Sequence, residues 1–374
     1  MRVLVISHAC VAEDNRAKWE YLAKSKEAEI EIHLPHSWPS WESAYHPIPS
    51  RNPNLTIRVN HVFRAGHEDQ YFFAPKLSHR MQNGDFDILH VEQGSSAMVY
   101  FQALLERNWR SRQTKTCFFT WINWESSLHW PWTVIEPYNL HHSNGAIGGN
   151  QEAVDLLKRR GFCGKTAVIP QLGVDPHEYS PGNNLAIRKK LGLQGLVIGF
   201  VGRLVEEKGI CLLLESIKKI SKKLDSTISL LFLGGGPLET ELAHFRQTEP
   251  ICLVHVPPVS HQAVRNYLHA MDILVLPSYS TPRWKEQFGH VLIEAMACEI
   301  PVIGSNSAAI PEVIGDAGLM FPERDSEGLS QQLWTFIQSA EERKRFGHLG
   351  RQRVLKHFTH EEIAQQTLAF WKSL

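Results

Sequence analysis

Short runs rich in apolar residues alternate along this chain with longer stretches whose apolar residues recur every three or four positions. The runs read as strands, the continuous one at 3–7 as a buried strand of a parallel sheet. They fall at 3–7, 30–34, 55–63, 86–91, 116–121, 146–149 and 166–169, then at 196–201, 228–233, 251–256, 273–276 and 300–304. The spacing predicts helices over 17–28, 96–107, 151–160, 210–224, 239–246, 261–271, from Gly289 onward, and over 328–339, 340–356 and 361–371. Within 210–224, Leu213, Leu214, Ile217, Ile220 and Leu224 share one face, while Lys218, Lys219, Lys222 and Lys223 point outward. Strands alternating with helices make doubly wound α/β sheets.

One segment interrupts the alternation. Residues 170–184, PQLGVDPHEYSPGNN, are rich in Pro, Gly and Asn and read as an interdomain connection. They place a linker at 171–184 between an N-terminal domain, 1–170, and a C-terminal domain, 185–356. A length of 374 residues accommodates two such domains. The stretch 35–53 is a long connection rich in proline and tryptophan, and such loops in compact domains often carry function.

Composition narrows the function classes. Lys and Arg together number 39, as do Asp and Glu, so the chain is formally neutral and no bulk charge favours nucleic acid. No run reaches the roughly 20 apolar residues of a membrane span, and the N-terminal run meets Glu13-Asp14 too soon for a signal sequence. Cys10, Cys117, Cys163, Cys211, Cys252 and Cys298 are scattered without a C-x-x-C pair, which predicts reduced, mostly buried thiols in a cytoplasmic protein.

The chemistry concentrates in WKEQFGHVLIEAMACEIPVIG, residues 284–304. Glu286 and Glu294 stand eight apart: the first on a loop, the second in the second turn of a helix that starts near Gly289. Free amides at that helix start attract a phosphate or a growing anion, and flanking carboxylates accept from hydroxyls. A second stretch, IGFVGRLVEEKG at 198–209, ends a strand at Gly202 and carries Arg203 and Lys208. A fork-shaped guanidinium and a point-charge ammonium clamp a diphosphate without a metal.

Both stretches resemble the signatures of retaining glycosyltransferases of the GT-B fold, family 4, of the bacterial envelope and exopolysaccharide type. The similarity is good over 190–322 and holds only in outline before that. It implies two Rossmann-like domains facing across a central cleft, with a last helix (357–374) that packs back on the N-terminal domain. By this resemblance Glu286 holds sugar hydroxyls, Glu294 the ribose hydroxyls, and amides of Phe288, Gly289, His290 and Val291 face the sugar and diphosphate. Arg203 and Lys208 neutralise the leaving diphosphate beside Gly202. Gly235, in the Gly-rich loop 233–237, lies near the nucleotide, and Val259, in VPPVS, meets the base through its backbone. The implied reaction moves a hexose, with UDP-glucose as the expected donor, to a saccharide or lipid-linked saccharide acceptor. Anomeric configuration is retained and no cofactor or metal is required. The alternatives are a sugar-nucleotide epimerase of the same fold and a non-catalytic sugar-nucleotide-binding protein.

The acceptor half departs from the family pattern. Ser7-His8-Ala9-Cys10 stands where many members have a glycine pair, and Asn123 stands where many have a histidine near the reacting sugar. An amide donates to a hydroxyl but is no base. Glu92 and Gln93, just past a strand end, are expected to point into the cleft. Asp85-Phe86-Asp87 has the spacing of a metal motif but precedes a strand, so it reads as a loop, and adjacent His141-His142 cannot share one tetrahedral ion. Eight of the 11 tryptophans precede Asn150 and suit sugar stacking, core packing or a membrane interface. Arg107, Arg110, Arg112 and Lys115 suit anionic headgroups, which predicts peripheral contact with the inner face of the membrane, or a solvated helix end.

Overall fold

A computed structural model describes residues 1–39, 44–45, 48–50, 52–74, 86–110, 113–221, 223 and 227–374. The chain forms two compact units: Met1–Gly173 with His360–Leu374, and Val174–Thr359. Both are doubly wound α/β sheets, as the alternating pattern predicts.

In the first unit the strands are Arg2–Ile6 (β1), Glu29–Pro35 (β2), Trp38–Pro39 (β3), Ala44–Tyr45 (β4), Leu55–Phe63 (β5), Phe72–Ala74 (β6), Ile88–Val91 (β7), Lys115–Thr120 (β8), Gly145–Gly148 (β9) and Lys165–Val168 (β10). Eight of them form one sheet in the order β10-β9-β8-β7-β1-β2-β5-β6. All neighbours pair in parallel except β5 with β6. β1 is central because RVLVI has apolar side chains on both faces from Val3 onward, and these are fully buried. β3 and β4 pair as a separate two-residue hairpin inside the long connection.

The second unit has Leu196–Val201 (β11), Ile228–Leu233 (β12), Cys252–Val256 (β13), Ile273–Leu276 (β14), Val302–Ser305 (β15) and Leu319–Phe321 (β16). Its all-parallel order is β13-β12-β11-β14-β15-β16. Strand order therefore reverses between β11 and β14 here, and between β1 and β7 in the first unit. Loops leaving the C-terminal ends of strands at such reversal points splay apart and leave a crevice where ligands bind. The conspicuous stretches of the sequence map there: 202–209 follows β11 and 277–289 follows β14.

Several helices differ from the periodicity. The helix expected over 210–224 is described over Ile210–Ser221, and Lys222 and Leu224 lie outside the described residues. The one expected over 261–271 stops at Leu268, because Asp272 already hydrogen-bonds Val197 of β11. Trp132–His141 is helical although nothing in its pattern marks a buried face: Pro137 sits inside it and Val134 is exposed. Leu185–Leu191 forms a short helix at the edge of the expected linker, capped by the Asn184 side chain and ended by Gly192 at φ 68°.

The last helix, His360–Ser373, belongs to the first unit. Trp371 stacks on Trp19 with centroids 5.9 Å apart and planes 10° from parallel, and its indole N–H donates to Nδ1 of buried His90 at 3.1 Å. That bond fixes the proton of neutral His90 on Nε2. Burial is the main cause that pushes the His90 pKa down to about 3, with nearby Glu92 pulling the other way. The unfolded chain therefore takes up a proton near pH 6.5 that the folded one refuses. The resulting stability is complete above pH 6.5 and is lost as pH falls from there toward 3. The expected result is that His90→Asn costs less at pH 5 than at pH 7, by about 2 kcal/mol, since each pH unit is worth about 1.4 kcal/mol per proton. Urea unfolding at the two pH values measures it; equal costs at both would contradict a neutral His90.

Candidate active site

The β11 loop is built on glycines that let backbone meet backbone. Gly202 has φ 150° and Gly209 φ 72°, and a Cβ on Gly209 would collide with the Pro277 carbonyl oxygen after β14. This close approach sets Lys208, one residue earlier, beside the β14 loop. The Gly234–Gly236 turn after β12 is explained the same way, because Cβ atoms on Gly234 and Gly236 would strike the Gly202 and Leu204 carbonyls. Leu204 N–H donates to Gly235 O at 2.9 Å, and Leu238 N–H to Leu204 O at 3.0 Å. Gly235 faces Pro258, which brings the half-buried Val259 next to the same turn.

Lys208 Nζ lies 2.6 Å from Glu286 Oε2, and the same oxygen accepts from the Ser278 hydroxyl at 2.9 Å. Both side chains are largely buried, at 15% and 8% exposure. The ammonium also lies 5.0 Å from the centre of the Trp284 ring. Arg203 instead is 54% exposed, with Glu207 4.0 Å away. Of the two expected cations, one is thus engaged with Glu286 and the other reaches into solvent.

The 284–304 stretch folds as expected. Gly289, at φ 77°, is the N-cap of the helix His290–Ala297, and a Cβ there would press on Leu276. A glycine cap brings no side chain, so the first amides are not covered by one. Phe288 is buried and meets Phe358 edge-on at 5.7 Å, which anchors the loop just before those amides. Glu294 lies one turn inside the helix, is 6% exposed, and receives His261 Nε2 at 2.9 Å on Oε1. His290 Nε2, on the same helix face, is 3.8 Å from that oxygen. Tyr179 OH lies 3.4 Å from His261 Nε2, and burial, then the Glu294 charge, keeps that phenol protonated. Ser278, Trp284, Tyr179 and His261 were not singled out by the sequence, although His261 is legible as the first residue of a helix directly after the VPPVS turn.

In the N-terminal unit, Asn123 is buried beyond the end of β8, where its amide donates to Glu152 at 3.1 Å. Glu92 does not present a carboxylate to a ligand. Its side chain is 1% exposed and holds Lys18 at 2.6 Å and the Ser7 hydroxyl at 2.9 Å, a correction to the expected role. Gln93 hydrogen-bonds His8, whose ring packs 4.5 Å from Trp38 and 6.0 Å from Tyr71. Asp87 caps β1 by accepting from Arg2 N–H, and Asp85 lies outside the described residues. His142 stacks on Tyr138. Arg107 is spent on the Thr114 carbonyl, and Arg112 lies outside the described residues. Trp109 and Trp130 are exposed, and among the described residues no helix is long and apolar enough to cross a membrane. All six cysteines are free, but Cys163 and Cys211 are exposed rather than buried. Burial pushes the Cys10 and Cys298 thiols up to about 12, so neither is a thiolate nucleophile at neutral pH.

Residues 184–353 match the family model of "Glycosyl transferases group 1". Over 207 residues the chain is 31% identical to the capsular polysaccharide biosynthesis glycosyltransferase CapM of Staphylococcus aureus, covering 52% of this chain and 51% of CapM. Over 214 residues it is 37% identical to the "Putative teichuronic acid biosynthesis glycosyltransferase TuaC" of Bacillus subtilis, covering 52% and 50%. The chain thus spans about half the length of the curated relatives it matches. Over its whole length it superimposes on sucrose-phosphate synthase from Thermosynechococcus elongatus, with TM-score 0.73 and 18% identity over 100% of this chain and 98% of that one. It also superimposes on Anabaena HepE in complex with UDP, with TM-score 0.69 and 15% identity over 100% of both chains. At those identities the likeness establishes the fold: two Rossmann-like domains, the GT-B class.

Proposed function

We propose that this protein transfers a hexose from a nucleotide sugar to a saccharide acceptor in polysaccharide biosynthesis, with the anomeric configuration retained. The observation that carries the proposal is the Lys208–Glu286 pair beside an N-terminus capped only by glycine, with Glu294 one turn further along the same helix. The relatives' names, CapM and TuaC, support the reaction class. The UDP bound by HepE, of the same fold, supports a uridine donor, and UDP-glucose is the donor we assign.

Each part has a chemical task. Leaving diphosphate develops negative charge that Lys208, Arg203 and the amides of Phe288 to Val291 stabilise. Glu286 accepts from sugar hydroxyls and orients the ring. Glu294 accepts from the ribose hydroxyls. Lys208 and Glu286 hold each other at rest, so both are preset on the donor's reacting end, and donor phosphate and hydroxyl groups take over part of that contact. No protein nucleophile is required: the acceptor hydroxyl attacks from the side the diphosphate leaves, and its proton passes to the departing phosphate. Asn123 offers an amide, not a base, on the acceptor side. Exposed Trp109 and Trp130 suit peripheral contact with a membrane that carries a lipid-linked acceptor.

Incubation with UDP-glucose and GDP-mannose, read by ion-exchange chromatography, tests the proposal. Slow release of free UDP with α-glucose as the first product is the expected result. Conversion into another nucleotide sugar without free UDP would establish an epimerase instead, and binding without any turnover a non-catalytic protein.

A further inference from the structure

We propose that His261, His290 and Glu294 form a binding site for a divalent transition metal with the ligand preferences of zinc. The ligand atoms of the three side chains all lie within 4.8 Å of one another. His290 and Glu294 are four apart on one helix face, the spacing at which a helix presents two ligands to one ion. His261 supplies the third from the first turn of the neighbouring helix His261–Leu268. Donors about 2.0–2.1 Å from a tetrahedral ion lie about 3.3 Å apart. The separations from Glu294 Oε1, 2.9 Å to His261 and 3.8 Å to His290, bracket that edge, so small rotations of two imidazoles close the site. Two imidazoles and one carboxylate form a donor set that suits zinc or cobalt and is poor for magnesium or calcium.

The setting also favours an ion. Glu294 is 6% exposed, which strengthens its pull on a cation, while His261 at 52% and His290 at 32% leave an entry path. Three protein ligands leave a fourth position open to water. The site shares Glu294 with the donor reading above. Metal and nucleotide therefore exclude each other, an inference that rests on Glu294 meeting the ribose. A zinc-group ion would inhibit donor binding at this carboxylate and assist no step of the transfer.

Titration of the full-length protein with Co²⁺, read by visible absorption, tests the site. One equivalent should produce the intense bands of a tetrahedral ion, and Zn²⁺ should abolish them. His261→Ala and His290→Ala should each weaken binding more than about tenfold, since even outer-shell changes cost 10–100-fold. Both side chains are partly exposed, so neither change threatens the fold. Failure to bind Co²⁺ at submillimolar concentration, or binding by both variants as tight as the parent's, would overturn the proposal. UDP added with free Co²⁺ held constant by a metal buffer separates the two readings. Bleaching of the bands supports the site and the exclusion together. Persistent bands that still need both histidines uphold the metal site and remove Glu294 from the nucleotide.

Discussion

Replacing Lys208 with alanine is expected to lower turnover of the sugar donor by about 100-fold or more, while the second unit stays folded. Removing one donor aimed at developing negative charge costs about 2.7–4 kcal/mol of transition-state stabilisation. Lys208 has that place because Gly209 lets the loop close on Pro277, and because Glu286 and the Trp284 ring hold the ammonium at the reversal point of the sheet. The change leaves the Glu286 carboxylate with the Ser278 hydroxyl as a partner, so local stability drops as well. Lys208→Met loses the ammonium but keeps the methylene packing, so comparing the two variants separates lost charge from lost packing. Nucleotide affinity should fall less than turnover in both variants, because Glu294 and the first amides of its helix are untouched. Near-normal turnover by either folded variant would remove Lys208 from the mechanism.

The second large effect is on stability in the other unit. Lys18→Met should destabilise the protein by about 3–5 kcal/mol, the cost of stranding one member of a buried ion pair. Lys18 and Glu92 side chains are 3% and 1% exposed, and the ammonium also sits 4.4 Å from the Trp19 ring centre. Burial opposes the Glu92 charge, and Lys18 is the first of the groups that nonetheless hold its pKa below the ordinary carboxylate value. The lowered value means that the pair stabilises above about pH 4.5 and is lost as pH falls below that. Without Lys18, burial pushes the Glu92 pKa up against weaker opposition. Lys18→Met with Glu92→Leu should recover much of the loss, because an apolar pair of similar volume removes the stranded charge. Thermal unfolding measures both. A single variant as stable as the parent would show that the pair contributes nothing.

The two halves were unequally legible. Unbroken runs such as VLVI and LVIGFV give the parallel strands directly, since a strand covered on both faces has no polar alternation. The helix His290–Ala297 was equally plain, because glycine, helical spacing and a closing strand all agree there. The helix Trp132–His141 was not, since Pro137 and exposed Val134 spoil any single apolar face. Side-chain partners were the harder problem. Glu92 stands where a ligand-binding carboxylate would, just past β7, but Lys18, 74 residues away, captures it. Nothing local in either stretch announces that pair. His261 carries no local signal for the same reason: it meets Glu294 across 33 residues, through the packing of two helix starts. Backbone geometry was better encoded, because Gly209, Gly234 and Gly236 answer to carbonyl contacts that no other residue permits.

On the proposed function, the second unit holds a nucleoside diphosphate between the β11 loop and the helix that carries Glu294. Calorimetric titration of the full-length protein with UDP and with GDP, without divalent metal, beside Glu294→Ala, tests it most directly. The expected result is one-to-one micromolar binding of UDP, weaker binding of GDP, and a loss of about tenfold or more in the variant, as follows when charge-assisted hydrogen bonds to the ribose are removed. Absence of binding by either nucleotide, or equal affinity in the variant, would contradict it.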